Sequence, residues 1–315
     1  MTYSRTHATQ RRFLPIAALC TLFLASGCAT VEHMATNAVA DSLAESSTVY
    51  ATDDDIELVG QAIPFGLKTI EGLLETLPKH RGLLVAAARG FTQYAYAYVA
   101  LPAGEIESES PGAARGMWRR AHRLYLRGRD YGLRALELDA PGFRERLTRE
   151  TEAALAALKV DQVDALYWAT VAWAAAIASD KQNMGLLADL SLIGPMMRRC
   201  LALVETYQDG AAHEFMVAFE GGRHETQGGS VERARAHYAR AMVLAGGRRL
   251  SVMVSLAENV SVRLSDRQEF KSLLNRTLAF DVDTAPEQRL ANLIAQRRAA
   301  LLLSQIDNLF LGDGG

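Results

Sequence analysis

The sequence predicts an all-α fold, and three observations lead to this prediction. Apolar residues recur at helical spacing over nearly the whole chain from residue 53 onward. Glycines and prolines mark the breaks between these stretches. The stretch 210–244 contains two amphipathic segments joined by a glycine-rich turn. We therefore expect tetratricopeptide-like helical hairpins packed into a compact superhelical domain over residues 53–311, followed by a short tail at 312–315.

The first 27 residues have the features of an export signal. Arg5, Arg11 and Arg12 precede an apolar run at 13–24 that is too short for a spanning helix. The run ends in LASGC, which resembles a bacterial lipoprotein signal. This resemblance implies cleavage after residue 27 and attachment of diacylglycerol and palmitate to Cys28, although an ordinary signal peptide with an incidental cysteine stays open. Because Ala29 is not aspartate, the resemblance favours the outer membrane over the inner one.

Charge and cysteine content narrow the possible functions. The formal net charge is −2 and becomes more negative once the signal arginines are removed, so nothing suggests a nucleic-acid partner. If Cys20 leaves with the signal and Cys28 carries lipid, Cys200 cannot form an internal disulfide. Its helical context predicts a small buried residue. The small and polar residues of 28–52 predict a flexible tether to the membrane.

Two helices are predicted at the start of the domain. The first covers about 54–76, with Thr52 and three aspartates favouring its N-terminus and Pro64 bending it. The second covers about 80–101 and carries an aromatic stripe that forms either core or the wall of a ligand cavity. Residues 102–104 and the acidic loop 105–110 are expected to separate it from the next helix.

The third hairpin begins with a basic helix. Ala121, Tyr125 and Gly128 have the small, aromatic, small spacing of a tetratricopeptide-type helix. Several arginines spread over more than one face, which indicates either a solvated surface or a docking face for an acidic partner. The docking candidates are Arg119, Arg120, Arg123 and Arg127. Pro141 is expected to open the second helix of this pair.

The remaining segments are also predicted to be helical. Residues 160–179 are apolar nearly all round, so other helices should surround them, while Asp161 and Asp164 argue against a membrane span. Pro195 is placed at a helix start. In 210–244, Ser230 should cap a helix whose Ala234, Tyr238 and Ala241 repeat the small, aromatic, small spacing, as noted in the third hairpin. Residues 250–256 alternate like a strand but also fit one helical face, and we predict helix.

The order of these segments resembles the T component of tripartite ATP-independent periplasmic (TRAP) transporter systems. The resemblance rests on a lipoprotein signal followed by IPFGLKTIEGLL, HRGLLVAAARGFTQYAYAYV, LYWATVAWAAAI, GAAHEF, GGS, RAHYARAM and RLANLIAQRRAALLLSQIDNLFL. It implies a homotrimer with an apolar pore through each subunit, a periplasmic substrate-binding P component as partner, and a hydrophobic or carboxylate-bearing ligand. The candidate pore-lining residues are aromatic: Phe91, Tyr94, Tyr98, Trp168, Trp173, Phe215 and Phe219.

A search for catalytic motifs gives no enzyme prediction. The sequence has no HExxH, CxxC, GxSxG or GxxxxGK motif, and we expect no cofactor and no metal. His213, His224 and His237 are interpreted as packing groups instead of metal ligands. Two other functions stay open, a scaffold lipoprotein of the outer membrane and, more remotely, a peptidoglycan-cleaving lytic enzyme that uses Glu107 or Glu109.

Overall fold

The computed structural model describes residues 37–38, 40–43 and 47–310. These residues contain helices and no strand, so the prediction of an all-α fold is confirmed. The helices before residue 190 are α1 (Ser47–Ala51), α2 (Ile56–Thr76), α3 (Arg81–Ala95), α4 (Leu101–Ile106), α5 (Pro111–Asp139), α6 (Phe143–Arg149), α7 (Thr151–Ala156), α8 (Val163–Ser179) and α9 (Met184–Ala188). The later helices are α10 (Leu190–Leu203), α11 (Ala211–Gly221), α12 (Val231–Leu244), α13 (Ser251–Leu256), α14 (Arg267–Ala279), α15 (Arg289–Ser304) and α16 (Ile306–Leu309).

Helices α3, α5 and α8 pack closely at the centre of the molecule. Two glycines on α5 make this possible because each meets a neighbouring helix where a side chain would collide. A Cβ atom on Gly132 would lie 2.8 Å from the Cβ of Ala169 on α8, and one on Gly128 would lie 2.6 Å from Oγ1 of Thr92 on α3. Most side chains of α8 are buried. The prediction that other helices surround this apolar segment is therefore confirmed.

The buried side chains form two hydrophobic clusters. The larger cluster includes Ala40 and residues from Leu67 on α2 to Met216 on α11. The smaller cluster includes residues from Val217 on α11 to Phe310. Adjacent residues of α11 thus belong to different clusters, and this helix lies where the two clusters meet. Among the described residues, no helix combines the length and apolar character that a membrane crossing requires.

The hairpin predicted at 210–244 is present as α11 and α12. Helix α11 ends at Gly221, and the Ser230 side chain accepts a hydrogen bond of 3.1 Å from the backbone N–H of Arg233. Ala234 and Ala241 are fully buried in α12. The predicted cap at Ser230 is confirmed. The cap predicted in the aspartate run is also confirmed, because the Asp55 side chain accepts a hydrogen bond of 2.9 Å from the backbone N–H of Leu58. Residues 251–256 are helical, as predicted.

Two proline positions differ from the prediction. The second helix does not stop before Pro102, because α3 passes through a π-helical turn (Tyr96–Ala100) directly into α4. The π-helical turn before Pro102 changes the local hydrogen-bond pattern, so the continuous helix accommodates a residue without a backbone N–H. Pro195 lies inside α10 and not at its start. Burial of Ile193, Met196 and Met197 on either side of it offsets the cost of the missing backbone donor.

The structure also differs from the prediction in the helix after Pro141 and in part of the predicted tether. The helix expected after Pro141 is divided into α6 and α7. The predicted tether is helical over residues 37–38, 40–43 and α1, and Ala40 is fully buried in the larger cluster. Asp41 pairs with His80 at 3.2 Å. This part of the segment therefore packs on the helical body. The signal, Cys28 and the tail 312–315 lie outside the described residues.

Candidate functional site

The side chain of Tyr96 combines two properties that are rarely found together. It is 44% exposed, yet burial by the surrounding protein raises the pKa of its phenol to about 12. Protein atoms therefore surround this ring, although part of it is open to solvent. We call this site the Tyr96 recess and define it by Tyr96, Glu214, Arg249, Glu258 and Arg298.

Two π-helical turns supply residues to the recess. Tyr96 begins the turn after α3, and Glu258 lies in a second turn (Ala257–Ser261) that follows α13. Such turns insert an additional residue per turn and are frequent at functional sites. Arg298 on α15 donates to both carboxylate oxygens of Glu258, with Nε 3.4 Å from Oε2. Burial lowers the pKa of Arg298, but the Glu258 carboxylate outweighs burial and the pKa is raised.

A second ion pair lies deeper in the same region. Arg249 donates to Glu214 on α11, and the side chains of both are 19% exposed. The Glu214 carboxylate, like that of Glu258, contributes to the raised pKa of Tyr96. Arg249 also donates to the carbonyl oxygen of Gln208 at 3.2 Å. The recess thus holds two guanidinium groups, each paired with a carboxylate, and one phenol.

Hydrogen bonds continue from the recess to the turn before α11. Burial raises the pKa of the nearby Tyr167, whose ring centroid lies 5.0 Å from that of Tyr207. Tyr207 donates to Asp164 at 2.5 Å. The next two residues, Gln208 and Asp209, have φ of 43° and 55°, a conformation that costs roughly 1–2 kcal/mol per residue. The recess side of α11 is therefore joined to a strained turn.

These groups determine which ligands the recess suits. Each guanidinium group of the recess is paired with a carboxylate, so the recess has no excess of positive charge that would attract a simple anion. A ligand with an apolar body and one carboxylate would rest on the tyrosine ring while it competes with Glu258 for Arg298. Among the described residues, no group of three His, Cys, Asp or Glu side chains is placed to hold a metal ion.

The seven aromatic residues predicted to line a pore do not lie on one surface. Phe91, Trp168 and Trp173 are buried in the larger cluster. Tyr94 stacks on Tyr98 with 5.6 Å between ring centroids, and Tyr98 packs over Gly60 of α2. Phe215 stacks on Phe219 at 6.0 Å. A role for these residues in ligand binding stays a prediction.

Sequence reasoning missed Tyr96 because it followed the aromatic stripe of this helix. Phe91, Tyr94 and Tyr98 share that α-helical face, and Tyr96 points elsewhere. The string YAYAY at 94–98 contained a signal, since three tyrosines spaced two residues apart cannot share one α-helical face. Tyr96 lies in the recess, whereas Tyr94 and Tyr98 stack on each other and Tyr98 packs over α2.

The four candidate docking arginines are exposed on α5, and two of them make intramolecular contacts. Arg120 donates to the Tyr94 hydroxyl at 3.2 Å. Arg127 lies over the Phe91 ring and pairs with Glu71 at 3.2 Å. Arg119 and Arg123 have no hydrogen bond or ion pair within the described part of the chain. Docking through this face stays a prediction.

Of the three histidines singled out in the sequence, two are in contact and the third is not. The two candidate glutamates lie elsewhere. His213 and His237 are joined by a hydrogen bond of 2.8 Å between their Nδ1 atoms. His224 contacts Thr226 in the turn between α11 and α12. Glu107 and Glu109 are exposed in the turn after α4.

Comparison with known proteins covers the whole helical body. The family model of the TRAP transporter T-component matches residues 52–310. An uncharacterized protein of Treponema pallidum (strain Nichols) is 30% identical over 273 residues, which is 85% of this chain and 84% of that protein. The matched region contains every residue of the Tyr96 recess. The chain belongs to the TRAP transporter T-component family.

Proposed function

We propose that this protein is a periplasm-facing lipoprotein accessory of a TRAP transport system. In this proposal Cys28 carries the lipid anchor, which holds the protein at the outer membrane. The helical body forms a homotrimer and docks a substrate-binding P component. An organic ligand with an apolar body and a carboxylate passes through the Tyr96 recess of each subunit.

The observation that supports this function best is the Tyr96 recess. Tyr96 is 44% exposed although protein surrounds it, and charged groups from α11 and α15 act on its phenol. In this proposal the passage through each subunit runs past this side chain. The groups that define the recess are more polar than the apolar pore expected from the family resemblance. We therefore propose an amphipathic ligand over a purely apolar one.

Native mass spectrometry on a Cys28→Ser protein purified from the periplasm without detergent tests this function. The expected result is a trimer that carries small organic acids and binds the P component of its own transport system. Tyr96→Trp should fill the recess and lower the amount of bound acid while the trimer persists. Tyr50→Trp on α1 is the matched control and should retain the acid.

Two results would contradict the proposal. A monomer that carries no small molecule and does not bind the P component would favour the scaffold function. Equal ligand retention in the Tyr96→Trp and Tyr50→Trp proteins would remove the recess from the ligand path.

A further inference from the structure

A cavity lies outside the Tyr96 recess. It is a cleft of about 400 Å³ between α10, α11 and α12. Its apolar wall includes Pro195, Met216 and Phe219, and three guanidinium groups, those of Arg198, Arg223 and Arg233, reach it. This volume is in the range of sites that hold small organic molecules.

The cleft and the recess lie on different sides of α11. At about 100° per residue, Met216, Phe219 and Glu220 are roughly 140–240° around the helix from Glu214. Glu214 faces the recess, whereas the other three line the cleft. The helix therefore separates the two sites, and a ligand in one does not contact the other.

The cleft carries an excess of positive charge. Its one carboxylate, Glu220, is 3% exposed and accepts from Arg233 at 2.7 and 3.0 Å. Arg223 is held by backbone carbonyl oxygens, including that of Phe219 at 2.8 Å. Arg198 is exposed and has no hydrogen bond or ion pair within the described residues. One buried carboxylate thus faces three guanidinium groups, and Arg198 is left to pair with an external anion.

The apolar wall lies directly beside these charges. The Arg223 guanidinium is 3.6 Å from the centroid of the Phe219 ring. A Cβ atom on Gly194 would lie 2.9 Å from the Phe219 ring and 3.1 Å from Nη1 of Arg198. The absence of a side chain at Gly194 therefore lets the ring and the free guanidinium approach each other. Together they fit a molecule that has an anionic head and an apolar body.

We propose that this cleft binds a small organic acid, whose carboxylate pairs with Arg198 and whose apolar body rests against Phe219 and Met216. A carboxylate gains charge-assisted hydrogen bonds from a guanidinium group. The apolar wall distinguishes such a ligand from a simple inorganic anion. This site does not depend on the proposed transport function, because it shares no residue with the Tyr96 recess.

Isothermal titration calorimetry on the full helical body with Cys28→Ser tests the proposal. The probes are phenylacetate, its neutral analogue phenylacetamide, and inorganic phosphate. Phenylacetate should bind more tightly than either of the others. Arg198→Gln should weaken phenylacetate binding by roughly tenfold or more, because a hydrogen bond to a charged group is lost. Arg115→Gln on α5, which neutralises another exposed arginine without a hydrogen bond or ion pair in the described residues, should leave the affinity unchanged.

Several outcomes would overturn the proposal. Equal binding of phenylacetamide would exclude recognition of the charge, and equal binding of phosphate would exclude recognition of the apolar body. Equal affinities in the Arg198→Gln and Arg115→Gln proteins would exclude Arg198. If no probe binds but Arg198→Gln abolishes binding to the P component, the cleft recognises a carboxylate of that protein instead. Loss of the trimer or of ligand passage through the recess would leave this test unaffected.

Discussion

At the scale of single residues, the histidine pair between α11 and α12 has a defined direction of hydrogen bonding. Hydrogen bonds from Arg240 hold the pKa of Glu205 at about 2, so Glu205 is a carboxylate and only accepts. His213 must then carry its proton on Nε2, which lies 3.2 Å from Glu205. A neutral His213 accepts at Nδ1, and the donor is Nδ1–H of His237. The pair is therefore satisfied when both rings are neutral.

This arrangement predicts a loss of stability at mildly acid pH. Burial lowers the pKa of both His213 and His237 below 6.5, the value expected in the unfolded chain. The unfolded state therefore binds more protons as the pH falls through 6.5. The stabilisation is complete above pH 6.5 and is lost below it, by at most about 1.4 kcal/mol per pH unit for each histidine. Urea denaturation at pH 7.5 and 5.5 measures this loss.

Two variants identify the residues responsible. His237→Gln should show a smaller loss of unfolding free energy between pH 7.5 and 5.5. His224→Gln, at an exposed histidine in the adjoining turn, should keep the loss of the original protein. Carboxylates whose pKa is lowered, such as Glu71 and Glu269, contribute only at lower pH. The same pH dependence in all three proteins would show that the pair is not the cause.

At the scale of helices, the close packing of α5 against α8 depends on Gly132, whose side chain is a single hydrogen atom. We expect Gly132→Ala to destabilise the protein by about 1–3 kcal/mol, because the added methyl group meets the α8 backbone. The backbone nitrogen and Cα of Ala169 both lie 3.0 Å from the position of that methyl group. Urea denaturation at neutral pH measures the effect.

Gly72 on α2 provides the matched control. It is exposed, and a Cβ atom there would meet nothing within 4 Å. Gly72→Ala should stabilise the protein by about 0.5–1 kcal/mol, because alanine loses less conformational freedom in a helix. If both substitutions changed the free energy of unfolding in the same direction, close packing at Gly132 would not be the cause.

The same scale shows what sequence patterns could predict. Capping residues such as Ser230 and enclosed helices such as α8 follow from local spacing and apolar content. The π-turn at Tyr96 does not, because its hydrogen-bond pattern depends on the contacts of α3 and α4 with α5. The cleft was also missed, since Arg198, Arg223 and Arg233 lie on separate elements and only the fold brings them together. Phe219 lines the cleft, whereas its predicted role in a pore stays a prediction.

At the scale of the whole molecule, polar contacts join the two hydrophobic clusters. Arg297 on α15 makes two hydrogen bonds of 2.6 Å to Glu105 on α4. Arg289 donates to the carbonyl oxygen of Thr52 at 3.0 Å. These hydrogen bonds link α15 near the end of the chain to segments near its beginning. We expect the helical body to open as one cooperative unit.

Cys200 can report on this cooperativity. It is fully buried on α10, and burial raises the pKa of its thiol. In a protein that lacks the signal and carries Cys28→Ser, Cys200 is the one thiol that remains. At a low concentration of a thiol-specific reagent such as dithionitrobenzoate, refolding outpaces labelling, and we expect a labelling rate proportional to the small population of unfolded protein. The free energy derived from the labelling rate should then match that from urea denaturation.

A cysteine at Ser108 in a Cys200→Ser background is the control, because Ser108 is exposed in the turn after α4. This thiol should react without unfolding. If Cys200 also reacts quickly in the absence of urea, α10 opens while the rest of the protein stays folded. Helix α10 forms one wall of the cleft, so local opening would disrupt the cleft while the recess stays intact. Slow labelling would instead mean that the cleft persists as long as the fold itself does.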